Sequence, residues 1–159
     1  MKKTIAVLAT TISGGVALVA GSALAHHSFA MFDLSQHMLV EGTITDWHFN
    51  NPHSWLYIEA PDENGEMQQW GFEGAARVHA IRQGVNGNTF RQGEQIRVVM
   101  SPLRDGRAAG AMCFVVKEDQ SIVQPNDGVC NAPQVIERWQ TNGWLESTAH
   151  LDIHPAAAE

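Results

Sequence analysis

Positive charge is scarce in this 159-residue chain, in which only 10 Lys and Arg stand against 17 Asp and Glu, for a formal net charge of −7. A nucleic-acid partner requires a basic surface that neutralises phosphates, so this composition argues against a polyanion as the ligand. The sequence also lacks a Gly-x-Ser-x-Gly elbow, a phosphate-binding glycine loop and a His-Glu-x-x-His motif. These absences favour a binding protein over an enzyme, and we assign no catalytic residue.

The first 25 residues have the pattern of a secretory signal peptide. Lys2 and Lys3 precede a mostly apolar stretch over residues 4–20, and Ala23-Leu24-Ala25 supplies the small side chains that signal peptidase accepts. Polar and glycine residues interrupt the stretch, so it falls short of the roughly 20 strongly apolar residues of a membrane anchor. We predict cleavage after Ala25 and a soluble protein, periplasmic or secreted, that does not span the membrane. The alternative is a retained anchor helix.

Cysteine is scarce as well, with Cys113 and Cys130 as the only two. An even pair of cysteines in an exported protein typically forms a disulfide, because the compartment is oxidising. We therefore predict a Cys113–Cys130 bond that ties the segment after Lys117 back to the last strand. The alternative is that Cys113 is a buried free thiol inside an apolar run.

The stretch over residues 26–117 predicts a small barrel. Alternating apolar residues indicate strands at 40–47, 55–59 and 68–72, helical spacing indicates a short helix over 75–83, and strands resume at 95–100 and 111–116. The order β-β-β-α-β-β is that of an OB-fold, a five-stranded barrel with one short helix. A plain antiparallel sheet packed on one helix would give the same order. Residues 118–159 are predicted as a C-terminal extension of loop plus a short helix at 133–141.

Four segments carry a resemblance to a known family. They read AHHSFAMFD at 25–33, NPHSWLY at 51–57, WGFEG at 70–74 and PLRDGR at 102–107. In this order they resemble a family of small exported bacterial proteins classified as a domain of unknown function. The resemblance runs from the signal peptide to about Phe114 and implies no activity.

Histidine is abundant, with eight residues in the chain. Cleavage after Ala25 would make His26 the first residue, where its α-amine and imidazole can chelate one metal ion. A further imidazole, from His53 or as second choice His48, would complete a T-shaped set of three nitrogens that suits Cu(II). His27 could instead bind through its ring and the intervening amide. The alternatives are an exposed, flexible terminus and, for His53, a turn residue that only enters the second strand.

A second candidate site is the open face of the barrel, where aromatic side chains can form a platform for a flat ligand. At period two, however, such aromatics are more typical of the core. The candidate residues of this ligand face are Trp47, Trp55, Tyr57, Trp70, Glu73, Arg104 and Asp105.

Three hypotheses of function follow. The first is an exported metal-binding protein with copper as its candidate metal. The second is an OB-fold module of the periplasm that binds a small ligand, or an exported or envelope protein, without metal. The third is a metal-dependent enzyme. The sequence names neither the physiological ligand nor the oligomeric state.

Overall fold

The computed structural model describes residues 29–156. The predicted signal peptide and the candidate ligands His26 and His27 lie outside the described residues. Five long strands and one short helix come first: β1 (Gln36–His48), β2 (Ser54–Pro61), β3 (Met67–Gly74), α1 (Arg77–Arg82), β4 (Gln95–Pro102) and β5 (Ala109–Lys117). The C-terminal part adds β6 (Ile122–Val123), α2 (Ala132–Thr141) and β7 (Leu151–Pro155). Single 3-10 turns lie at Phe29–Met31 and Trp144–Glu146.

The five long strands close into a barrel. They follow each other in the order β2-β3-β5-β4-β1, and β1 pairs with β2 to complete the circle. The β3–β5 contact is parallel, and it consists of the pairs Gly71–Ala109, Phe72–Gly110 and Glu73–Ala111, which we call the seam. The neighbouring pairs of the barrel are antiparallel. This closed order confirms the predicted OB-like barrel and replaces the alternative of a plain sheet.

Strand β1 closes the barrel because it bends and changes partner. On one edge it pairs with β4 along residues 38–43, and on the other it pairs first with β7 and then, from Thr43, with β2. Gly42 stands where this change occurs, and a Cβ there would lie 2.5 Å from the carbonyl oxygen of Glu59. A glycine at such a corner lets two strands approach closely while the chain bends. A register shift between Ile44 and Asp46 adds to the bend.

Two apolar clusters hold the fold together. The first fills the barrel, with side chains such as Leu56, Ile58 and Phe72 at its centre. The second lies between the outer surface of the barrel and the C-terminal part, where Trp139 of α2 packs beside Phe114. Because α2 covers β5 from outside, this strand is buried on both faces, which explains its continuous apolar run.

The C-terminal extension is partly as predicted. The short helix is present as α2, but the strands β6 and β7 are not predicted by the sequence pattern. Strand β7 pairs antiparallel with β1, from Gln36–Pro155 to Val40–Leu151, so the extension continues the sheet. The predicted disulfide is present, with the Cα atoms of Cys113 and Cys130 5.7 Å apart. None of the helices within residues 29–156 is long and apolar enough to cross a membrane.

Candidate functional site

His53 stands in the connection between β1 and β2, one residue before β2 begins. The backbone N–H and the hydroxyl of Ser54 both donate to the carbonyl of Ala75, at 3.1 and 2.8 Å. The N–H of Arg77 donates to the carbonyl of Asn50 at 3.2 Å, which fastens the other side of the connection to α1. The side chain of His53 is only 10% exposed. The turn therefore holds this imidazole in a fixed place.

Two carboxylates face the same nitrogen of His53. Its Nδ1 lies 2.9 Å from Oε1 of Glu73 and 3.4 Å from Oδ2 of Asp127. An ionised carboxylate only accepts hydrogen bonds, so two carboxylates beside Nδ1 favour the tautomer with the ring proton on that nitrogen. A metal ion would then be met by Nε2. We call His53, Glu73 and Asp127 the histidine–carboxylate cluster.

The loop that carries Asp127 is tied down from several sides. The N–H of Ala75 donates to the carbonyl of Pro125 at 2.7 Å, and Nε2 of Gln83 donates to the carbonyl of Asn126 at 3.0 Å. The Cys113–Cys130 bond fixes the chain three residues further on. The cluster thus depends on β3, α1 and the disulfide together.

Sequence reasoning named His53 and Glu73 but did not bring them together, and it missed Asp127 and His79. Nδ1 of His79 lies 4.0 Å from Oδ1 of Asp127, on the exposed side of α1. Asp127 stands in an Asn-Asp-Gly turn, which sequence alone interprets as an ordinary loop. The contact between His53 and Glu73 follows from the β2–β3 register, in which Trp55 is opposite Glu73.

His48, the second-choice ligand, has other partners. Its Nε2 lies 2.7 Å from Oδ2 of Asp46, and its ring packs edge-on against Tyr57 with 5.2 Å between the centroids. Both His48 and Asp46 are largely exposed. The structure therefore separates the surroundings of His48 from the histidine–carboxylate cluster.

The described chain begins next to the seam. Phe29 packs against the cluster of Phe32, Leu103 and Ala111, and Ala111 is the seam partner of Glu73. Two residues lie between His26 and Phe29, and the three steps of the chain that join them span at most about 11 Å.

Within residues 29–156, no group of three or more His, Cys, Asp or Glu side chains is arranged to hold a metal ion. The predicted donors, the α-amine and imidazole of His26, precede the described part.

Two of the predicted ligand-face residues belong to the packing of the fold. Trp70 is 6% exposed in the barrel core and stacks on Phe72. Trp47 packs edge-on against Phe90 at 5.0 Å, and its Nε1 donates to the carbonyl of Asn86 at 3.1 Å.

The remaining predicted residues divide into two places. Trp55, Tyr57 and Glu73 line one cleft on the outside of the barrel. Arg104 lies elsewhere, 3.8 Å from a carboxylate oxygen of Asp33, and Asp105 is an exposed turn residue that binds Arg107 at 2.8 Å. Hydrogen bonds from the backbone and side chain of Arg107 lower the pKa of Asp105. The structure brings together the first three residues and not the last two.

These observations define a class of protein: a closed five-stranded barrel with a histidine–carboxylate cluster on its outside. The chain belongs to a family of unknown function, DUF6152, whose model matches residues 14–112. This confirms the predicted resemblance to a family of unknown function, and it assigns no activity. No curated protein and no solved structure matches the chain.

Proposed function

We propose that the exported, mature protein binds one Cu(II) ion through the α-amine and imidazole of His26 together with Nε2 of His53. The observation that carries this proposal is the position of His53, which lies against Glu73 and Asp127, while Phe29 packs on a cluster that includes Ala111, the seam partner of Glu73. Export and cleavage after Ala25 are part of the proposal, because only a free amine at His26 can coordinate.

The carboxylates suit His53 to this role. Histidine ligands of metals commonly donate their second ring N–H to a carboxylate, which fixes the tautomer and ring orientation and makes the coordinating nitrogen more basic. Glu73 and Asp127 supply this partner at 2.9 and 3.4 Å from Nδ1. The same contacts would also serve a purely structural role, so binding must be measured directly.

The amino terminus supplies the other two nitrogens. An amine and an imidazole on one residue form a chelate without any folding step, and three nitrogens in a T-shape suit Cu(II), which leads the divalent ions in affinity for such donors. Phe29 anchors the chain three residues away. This anchor reduces the conformational entropy that binding would otherwise cost.

Calorimetric titration with Cu(II) tests the proposal on three proteins: the mature form that begins at His26, the same form with one glycine added before His26, and His53→Ala. The added residue converts the amine into an amide, so we expect affinity to fall at least about tenfold, and the loss of a ligand in His53→Ala should weaken binding similarly. His150→Ala is the matched control, because this exposed histidine lies apart from the cluster, and it should bind as the mature form does.

Nitrogen hyperfine structure in the electron paramagnetic resonance spectrum reports whether nitrogen donors hold the ion. Equal affinity in the mature and extended forms would contradict the terminal chelate. Amino-terminal sequencing of exported protein checks its premise, for which the first residue must be His26.

A further inference from the structure

A cleft of about 340 Å³ lies on the outside of the barrel, across the seam. Its floor consists of small residues of the two seam strands, Gly71 of β3 and Ala109 and Gly110 of β5. Small-molecule sites typically enclose about 300–1,000 Å³ and are concave, mostly apolar surfaces with a few polar groups. The cleft meets this description at the lower end of the size range.

Aromatic rings form one wall. The rings of Trp55 and Tyr57 lie 6.2 Å apart between centroids with only 17° between their planes. Both reach over Gly71, where a Cβ would lie 3.2 Å from Cε1 of Tyr57 and 3.8 Å from Cζ3 of Trp55. The glycine therefore provides the room that lets these rings cover the floor. Phe32 and Leu103, joined by a β-bridge, stand among the apolar side chains of the cleft.

The two ends of the cleft differ in charge. In the parallel register Glu73 lies at one end of the seam, and the chain segment with Arg107 approaches the other. The charge of Arg107 is balanced by Asp105, whose Oδ2 lies 2.8 Å from its Nε. At the Glu73 end, Asp127 stands on the other side of His53. Two carboxylates thus lie at this end beside His53, and the exposed His79 is 4.0 Å from Asp127, so the fixed charges of this end are negative.

We propose that this cleft binds a small organic cation, an ammonium group joined to an aromatic ring by a short alkyl chain, with the ring against Trp55 and Tyr57 and the ammonium directed to Glu73. Aromatic faces attract cations through their quadrupole, and a carboxylate beside them adds a fixed negative charge. The ligand class follows from this combination of walls and charge. The inference does not rest on copper binding.

The test uses metal-free mature protein at one fixed pH and three probes of similar size. Phenethylammonium, benzyl alcohol and 3-phenylpropionate share the phenyl ring and differ in charge. Ligand-observed NMR and calorimetry should show phenethylammonium binding at least about tenfold more tightly than 3-phenylpropionate, with benzyl alcohol between them.

Variants separate the two parts of the site. Trp55→Ala should weaken binding of phenethylammonium about tenfold, since the ring loses its platform. Glu73→Gln should remove the preference for the ammonium over the alcohol while leaving the ring interaction. Trp144→Ala, a matched change outside the cleft, should bind like the unchanged protein. Circular dichroism confirms that each variant is folded.

Equal affinity for the ammonium and the carboxylate, or no binding of any probe to the folded protein, would overturn the inference. The copper proposal is judged separately. Trp55→Ala should weaken ammonium binding about tenfold and leave Cu(II) binding unchanged, whereas the glycine extension before His26 should weaken Cu(II) binding and leave ammonium binding unchanged. Failure of either proposal therefore leaves a distinct result for the other.

Discussion

The disulfide offers the sharpest test of how the C-terminal extension supports the barrel. Cys113 and Cys130 are separated by 17 residues, and Asp127 lies within the loop that they close. In the chain-entropy model, closing a loop of this length stabilises the folded state by about 3 kcal/mol, because it restricts the unfolded chain. We expect Cys130→Ala to lower the free energy of unfolding by about that amount.

The choice of cysteine matters for the interpretation. Cys113 is fully buried in the cluster beneath α2, whereas Cys130 only packs against that cluster. Replacing Cys113 would add the cost of a cavity to the loss of the cross-link. Cys130→Ala keeps the buried sulfur in place, so its effect is closer to the effect of the cross-link alone.

Urea unfolding of the oxidised protein, the variant and the protein reduced with a phosphine provides the measurement. The reduced protein should unfold at the same urea concentration as Cys130→Ala, and both should show a steeper denaturant dependence, because an uncross-linked chain exposes more surface on unfolding. A variant within about 1 kcal/mol of the oxidised protein would refute the reasoning, since the predicted loop term is three times larger.

Two further predictions concern a buried histidine and the bend of β1. Burial lowers the pKa of His37 from 6.5 to about 4, and the nearby charge of Arg138 adds to this effect. Protonation of His37 therefore favours the unfolded chain, so the protein loses stability as the pH falls from about 6.5 to about 4. His37→Asn should remove on the order of 3 kcal/mol of this pH dependence in urea titrations, and parallel pH profiles of both proteins would contradict it. Gly42→Ala should destabilise the barrel by about 1–3 kcal/mol, because the added Cβ meets the carbonyl oxygen of Glu59 at 2.5 Å; an unchanged melting temperature would show that β1 can move away.

The order of strands could be predicted because each carries a local signal. Alternation marks β2, and a turn sequence separates it from β3, so neither needs information from distant residues. Closure is different, since the seam joins Gly71 to Ala109 across the intervening α1 and β4. No local pattern encodes that parallel contact, which is why the sequence left a plain sheet as an alternative.

Strand β7 is a second feature that the sequence pattern does not predict. It places Asp152 and His154 in a strand of five residues, and their side chains lie 3.1 Å apart. Leu151 and Ile153 do alternate with these polar residues, but the alternation covers only four positions before Pro155 and is too short a signal to predict a strand. It pairs because β1 is longer than the stretch that β2 can cover, which leaves the first part of one edge available. The partner, and not the segment itself, determines its structure.

The candidate site contains one contact that follows from local sequence signals and one that does not. His53 and Glu73 lie in recognisable motifs, and the hairpin register between β2 and β3 brings them together, so their contact is accessible to sequence reasoning once the hairpin is assigned. Asp127 follows His53 by 74 positions in an irregular loop, and its place depends on the disulfide and on the hydrogen bond from the N–H of Ala75 to the carbonyl of Pro125.

The family model ends at residue 112, so it includes the His53–Glu73 contact and not the His53–Asp127 contact. Of the two carboxylates, Glu73 is also nearer to Nδ1, at 2.9 Å against 3.4 Å. The His53–Glu73 pair is therefore the part of the cluster that the matched barrel itself provides, and Asp127 is what the C-terminal extension of this chain adds.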